Sequence, residues 1–215
     1  MNFRWLGRIN YGEAYDLQKL TFQNVLDEKE DNTFFLCEHP DVITIGRNSK
    51  NDNNLLKSRE QLKLDGYEVF DVDRGGDVTY HGIGQLVGYP IIRLKDYKED
   101  LGWYLRSLEE LIILTIKEFG VNGVRSEVNT GVWVNSIDNI QRKLCAIGIK
   151  SSRWTTMHGF ALNVTTELNR FNPIVPCGIK EFGVTSIENE TNKVFSLQQI
   201  SDVCFDMWND VFSIS

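Results

Sequence analysis

The sequence predicts an α+β fold, a single-domain mixed β-sheet with packed helices, and three observations predict it. Short runs rich in β-branched and aromatic residues recur along the chain. Helical segments fall among them irregularly rather than after every strand, so a regular βαβ winding is not expected, and the GxGxxG fingerprint of a dinucleotide-binding domain is absent. The 215 residues are 41% hydrophobic and 25% charged, which is the composition of a soluble chain long enough to bury most of its apolar surface. No repeat, low-complexity stretch or linker divides residues 1–215 into more than one domain.

Arg4 to Ile9 reads as a strand, and Gly12 to about Lys29 as a helix, because Ala14, Leu17, Thr21 and Val25 recur at spacings of three and four. Thr33–Cys37 and Val42–Ile45 read as short strands around the turn Glu38-His39-Pro40. Ser58 with Gln61 forms a capping-box pattern that opens a short helix. Glu68–Asp73 and Leu86–Leu94 read as strands flanking a glycine-rich loop. Leu101–Phe119 is a long amphipathic helix closed by Gly120. Strands follow near Gly131–Val134, Lys143–Lys150 and Gly159–Val164, and a second capping box, Ser196 with Gln199, starts a terminal helix towards Phe212.

Charge and cysteine usage exclude several classes of function. A formal net charge of −7 without a Lys/Arg cluster argues against nucleic-acid binding. No apolar run approaches the ~18 residues of a membrane span. Met1–Ile9 carries no signal-peptide core, and Glu13 and Asp16 disfavour a transit peptide, so a cytoplasmic protein is expected. The four cysteines form no CxxC pair, and His39, His81 and His158 are too widely spaced to suggest a metal site. Cys37, Cys145 and Cys204 lie in apolar strand-like or helical settings and read as small core hydrophobes. Cys177, between Pro176 and Gly178, sits instead on a loop, where a thiol serves equally as a reactive or a structural group.

The most informative segment is Arg74-Gly-Gly-Asp-Val-Thr-Tyr-His-Gly-Ile-Gly-Gln85. Its glycines let the backbone approach a ligand closely, and Arg74, His81 and Gln85 give it a cation, an imidazole and an amide that a plain hairpin turn does not need. It reads as a binding loop. Arg142 and Lys143 open an otherwise buried strand, a pattern that most often marks only a solvated strand end. In Ser151 to Asn163, His158 precedes Gly159 and small residues interrupt an apolar strand.

These pieces occur in one order and spacing: Glu38-His-Pro40 with Gly46-Arg47, Arg74–Gly82, Gly131-Val-Trp133, Lys143 with Ala146-Ile-Gly148, Met157–Asn163 and Pro176-Cys-Gly178. The series resembles the lipoyl(octanoyl) transferases of lipoate synthesis, from Trp5 to about Ile187. Two departures stand out. Ile83 occupies a position where the family usually has Pro, a change of loop stiffness, and Cys145 replaces a small residue such as Ala.

The resemblance implies a fold like that of the biotin and lipoate protein ligases, no cofactor and no metal. It implies that octanoyl-acyl carrier protein is the donor. The implied acceptors are lipoyl domains of 2-oxoacid dehydrogenase E2 subunits and the glycine cleavage H protein. It implies that Cys177 carries the acyl group as a thioester and that Lys143 favours the thiolate and handles protons. Lowering a thiol pKa by two units corresponds to about 2.7 kcal/mol, within reach of one nearby ammonium. The acyl pocket is expected from Arg74, Gly75, Gly76, Asp77, Val78, Thr79, Tyr80 and His81, with Ala146, Ile147, Gly148, Gly159, Phe160 and Ala161 as other walls. Backbone N–H groups near Gly75 and Gly76 are candidate oxyanion donors. The competing readings are an ATP-dependent lipoate or biotin ligase, an octanoyl amidotransferase and a non-catalytic acyl- or carrier-binding protein.

Overall fold

The strand-rich pattern folds as two sheets that meet at the glycine segment. The computed structural model describes residues 1–49, 52–127, 129–135, 141–175 and 183–212. Along them run β1 (Asn2–Arg8), α1 (Tyr11–Leu26), β2 (Thr33–Glu38), β3 (Val42–Ile45), α2 (Arg59–Leu64), β4 (Glu68–Asp71), β5 (Val78–His81), β6 (Gln85–Ile91), α3 (Leu101–Lys117), β7 (Val124–Arg125), β8 (Val132–Asn135), β9 (Gln141–Ser152), β10 (Thr155–Asn163), β11 (Gly183–Val184), α4 (Ile187–Thr191) and α5 (Leu197–Val211). The main sheet has the order β1-β2-β6-β10-β9-β8-β7, with β11 also paired to β9, and the smaller sheet is β4-β3-β5. Both are mixed: β1 with β2, β11 with β9 and β3 with β4 are parallel, and the remaining pairs antiparallel.

The helices cover the main sheet on its two faces. Tyr104, Leu108, Leu111 and Ile112 of α3 and Ile200, Cys204 and Trp208 of α5 pack against Phe34, Leu86, Leu144, Phe160 and Leu162. On the other face Ala14 and Val25 of α1 meet Phe35, Cys37, Val87, Tyr89 and Ala161. Adjacent residues of β6 and β10 thus serve different helices, as pleating requires. Cys37, Cys145 and Cys204 are buried free thiols. Burial pushes all three up, Cys204 to about 12, so they act as small hydrophobes.

The local signals hold at several helix ends. Ser196 and Gln199 form a reciprocal capping box on α5, and Ser58 Oγ accepts from the Gln61 N–H at 3.2 Å. The Gln61 amide, however, reaches forward to Asp65. Gly120, at φ +83, closes α3 while Val121 donates back to Ile116. α1 ends at Leu26 rather than near Lys29, because Glu28 turns left-handed at φ 58. The largest difference lies in the glycine segment, which is not one loop: Val78–His81 forms β5 and pairs with all four residues of β3. Val-Thr-Tyr-His carries strand propensity of its own, and the flanking glycines had masked it.

At Gly159 in β10 a Cβ would collide with the Gly88 carbonyl of β6 and lie 2.7 Å from Pro90 Cδ. Gly159→Ala should therefore lower the unfolding free energy by about 1–3 kcal/mol in urea titrations, because backbone atoms cannot step aside as a flexible side chain does. An unchanged midpoint would show that β6 and β10 separate without cost.

Candidate active site

A cavity of about 450 Å³ lies between the α1-covered face of the main sheet and the glycine segment. That volume suits a small organic group. Ala146 and Gly148 of β9 stand opposite Ala161 and Gly159 of β10 in register, so a strip of small residues runs along its wall. The glycine segment supplies Arg74, Gly75, Gly76, Asp77, Val78, Thr79 and His81, and Ile147 and Phe160 complete the expected walls. Tyr80 points away. Its hydroxyl donates to Asp41 at 2.6 Å and its ring packs on Phe171 in a separate cluster, since alternate residues of β5 face opposite sides.

Arg74 is the hub of this wall. The residue is 8% exposed, and its guanidinium donates to the Thr44 carbonyl at 3.0 Å, to Thr44 Oγ1 at 2.9 Å and to the Gly75 carbonyl at 3.0 Å. Glycines make the room for it: a Cβ at Gly46 would lie 2.7 Å from the guanidinium, and one at Gly148 3.1 Å from Arg74 Cδ. The Gly75 N–H donates to the Ile149 carbonyl at 2.8 Å, which welds the segment to β9. That bond also corrects an expectation: the Gly75 N–H is spent on the sheet and does not serve as an oxyanion donor.

Two histidines face the cavity, and burial lowers the pKa of both. His81 donates through Nδ1 to Gln85 Oε1 at 2.9 Å, and burial, helped by His39 and Arg74, lowers its pKa to about 3. His158 has a left-handed backbone, φ 61, which is rare outside glycine and stabilised here by its N–H donating to Gln18 Oε1 at 3.2 Å. Its Nε2 meets Asp73 Oδ1 at 2.8 Å, and Lys150 Nζ meets the other carboxylate oxygen at 2.5 Å. Burial lowers the His158 pKa, while the His158 hydrogen bond, then Lys150, holds Asp73 well below the usual carboxylate range.

Lys143 occupies another part of the cavity with Asn129 and Thr130. Its side chain is 8% exposed, and Nζ sits 4.5 Å above the Trp133 ring, a cation–π contact that fixes the ammonium. Gly131, at φ 128, precedes β8 where a Cβ would lie 2.5 Å from the Cys145 carbonyl oxygen and 3.7 Å from Lys143 Cε. The buried Glu109 of α3 accepts the Gly131 N–H at 3.0 Å and pairs with Arg106 at 2.6 Å.

A relay of hydrogen bonds joins the two regions. His81 donates to Gln85, Gln85 Nε2 donates to Asn163 Oδ1 at 3.0 Å, Asn163 Nδ2 donates to the Thr185 carbonyl at 2.9 Å, and the Thr185 N–H donates to the Lys143 carbonyl at 3.0 Å. Cys177 lies outside the described residues, but both approaches to it are fixed. Val175 donates to the Asn54 carbonyl at 2.9 Å, and Asn54 bonds Asp77 of the glycine segment. On the far side Gly183 and Val184 pair with Arg142 and Lys143.

Sequence reasoning missed Tyr11, Tyr89, Asp73, Asn54 and Glu109. Tyr11 and Tyr89 line the cavity. Tyr11 falls three residues before Ala14 and so extends the buried stripe of α1, a signal that was available. Asn54 and Glu109 carried none, because their partners are distant in sequence.

The chain matches the lipoyl protein ligase A/B catalytic domain over residues 10–208. It is 47% identical to an octanoyltransferase of Flavobacterium psychrophilum over 196 residues, 86% of this chain and 84% of the relative. It is 45% identical to an octanoyltransferase of Cytophaga hutchinsonii, over 92% of this chain and 86% of that one. Among solved structures, a bipartite lipoate protein ligase system from Thermoplasma acidophilum superposes with a TM-score of 0.75 at 13% identity, covering all of this chain and 85% of that one. A biotin protein ligase from Aquifex aeolicus gives 0.55 at 13% identity over 98% and 68%. The fold is therefore that of the lipoate and biotin protein ligases.

The neutral histidines set an acid limit. His39 is pushed down to about 4 by burial and His81 to about 3, and His158 is lowered too. Each takes up a proton on unfolding that it refuses when folded. Stability from these groups is thus complete above about pH 6.5 and is lost as pH falls from there towards the folded values, by about 1.4 kcal/mol per pH unit each for His39 and His81, with His158 acting in the same direction. Urea midpoints should drop steeply between pH 6.5 and 5, and His81→Asn should flatten that slope by about one proton. A midpoint that does not move with pH would mean that the imidazoles are charged in the folded core.

Proposed function

Because the chain belongs to the octanoyltransferase family, within the lipoyl protein ligase A/B catalytic domains, we propose that it moves an octanoyl group from octanoyl-acyl carrier protein to a lysine of lipoyl domains. The acceptors are those of 2-oxoacid dehydrogenase E2 subunits and the glycine cleavage H protein. The observation that carries this reading is the buried Lys143 ammonium beside a cavity walled by small residues, on the strand that also receives the chain as it returns from the Cys177 segment.

The chemistry balances with these groups alone. With Cys177 as thiolate and Lys143 as ammonium, the sulfur attacks the thioester carbonyl of the donor. A new C–S bond forms, the old one breaks, and the departing carrier thiolate takes the Lys143 proton. The acceptor lysine amine then attacks the acyl-enzyme, Lys143 takes the proton lost by that nitrogen, and Cys177 leaves as thiolate. The cycle restores the starting charges. Exchange of one thioester for another is nearly isoenergetic and thioester to amide is downhill, so the scheme uses no nucleotide. A free thiol is only a few per cent thiolate at pH 7, which is why an adjacent ammonium matters.

Mixed with octanoyl-acyl carrier protein and no ATP, the protein should gain the mass of one octanoyl group, released by hydroxylamine and by a lipoyl domain. Cys177→Ser should abolish that gain, while Cys37→Ala, Cys145→Ala and Cys204→Ala keep it. Lys143→Ala and Lys143→Arg should each slow transfer by about 10²–10⁴-fold, Arg because it holds its proton. Transfer from free octanoate that requires ATP would instead establish a ligase.

A further inference from the structure

The back of the cavity holds a feature that octanoyl transfer as such does not require. Four rings stand in one stack: His81 on Tyr11 at 6.0 Å and 12°, Tyr11 on Tyr15 at 6.0 Å and 27°, and Tyr15 on His158 at 5.7 Å and 26°. Helix α1 thus inserts two tyrosines between a histidine of the small sheet and one of the main sheet. Tyr11, His81 and His158 line the cavity and are 2%, 7% and 2% exposed. Tyr11 lines the cavity, and no hydrogen bond joins its hydroxyl to another described residue. A phenolic hydroxyl on a cavity wall can donate to, or accept from, a polar group of whatever fills the cavity.

The distances along the sheet say what would meet it. From Lys143 to Gly148 is five residues, but a bulge opposite Val132 and Trp133 takes up one of them, so the span is roughly 13 Å at the strand rise of about 3.3 Å. An extended eight-carbon acyl chain, a zigzag of ~1.5 Å bonds, spans roughly 9 Å. A thioester carbon within reach of the Lys143 ammonium, several ångströms out from its own backbone, puts the chain over Ala146 and Ala161. Its last carbon then comes near Gly148 and Gly159. His158 is the next residue after that strip, and Arg74 Cδ lies 3.1 Å from where a Gly148 Cβ would stand. The wall beyond the small residues is therefore polar.

We propose that the His81–Tyr11–Tyr15–His158 stack is the end wall of the acyl pocket, and that the Tyr11 hydroxyl on it reads the far end of the chain. It stops a saturated chain at about eight carbons, because further methylenes would press on the hydroxyl and the histidine edges without finding apolar surface. It accepts an acyl chain of the same length that carries a hydrogen-bonding group at its last carbon. This inference rests on the octanoyl-transfer reading. Asp73, bonded to His158 and at 3.4 Å from the Tyr15 hydroxyl, is a positioning residue that holds the stack in register with the glycine segment.

The test uses the intact protein with three carrier-protein donors in competition: octanoyl, decanoyl and 8-hydroxyoctanoyl. For wild type and Tyr11→Phe, the ratios of kcat/KM are measured against octanoyl. Tyr11→Phe should raise the decanoyl-to-octanoyl ratio by about tenfold, since two buried methylenes are together worth about that factor once the wall is apolar. It should lower the 8-hydroxyoctanoyl-to-octanoyl ratio by about tenfold, because the donor hydroxyl loses its partner. A loss of folding or general activity cancels in both ratios and cannot produce opposite shifts. Ratios that stay constant, or that move in the same direction, overturn the end-wall assignment while leaving octanoyl transfer intact. A wild-type protein that transfers none of the donors overturns both.

Discussion

The buried guanidinium of Arg74 is the constraint on which the rest of the site depends. A cation taken out of water must find oxygen acceptors in fixed directions, and its planar fork allows few arrangements. Here the acceptors are the backbone and hydroxyl of Thr44 in β3 and the carbonyl of its own neighbour Gly75. The small sheet is thereby tied to the start of the glycine segment, and the Gly75 N–H ties that segment onward to Ile149 of the main sheet. Gly46 and Gly148 belong to the same constraint, since a side chain on either would occupy the space of the arginine. The glycines of the motif are needed less for flexibility than for a close fit around one rigid cation.

From that hub, rigidity reaches Lys143 by side-chain hydrogen bonds rather than by one continuous element. Gln85 and Asn163 each use both ends of their amides, so neither can rotate without breaking two contacts. Their terminus is the Thr185 backbone, which holds the Lys143 carbonyl. Glu109 adds an independent brace from α3 through Gly131. A lysine side chain loses much rotamer freedom on being ordered, and the Trp133 face together with this framing supplies the ordering in the folded state.

Most of the fold was legible in the sequence because its signals are local. Helical spacing marked α1 and α3, the Ser196–Gln199 box marked α5, and the segment Val42–Ile45 was read to its exact bounds as β3. β5 escaped because four strand-forming residues sat between glycines, where turn chemistry dominates the reading. Within the site, residues brought together by strand register were legible as a set: Ala146 to Gly148 and Gly159 to Ala161 are antiparallel neighbours in β9 and β10. What could not be read is orientation. Tyr80 belongs to the same segment as Thr79 and His81 but faces the opposite side of β5. Asn54 and Asp77, 23 residues apart, meet only because the folded chain brings them together.

The two ends of the cavity divide the electrostatic work. At the back, burial keeps His81 neutral beside Arg74 and lowers the His158 pKa, which opposes a build-up of positive charge there. Asp73 stays ionised against His158 and Lys150, which compensates the Lys150 ammonium locally. His81 keeps one protonation state across the neutral range, and a group that does not titrate cannot take part in proton transfer. The proton transfers proposed for the reaction are thereby assigned to the Lys143 end. A pocket whose rear wall is polar but fixed can recognise a chain end without becoming a competing base towards a bound thioester. That separation follows from depth: in the proposed pocket the burial that lowers the pKa of His81 and His158 also presents their edges, with the Tyr11 hydroxyl, as hydrogen-bonding surface towards a chain end.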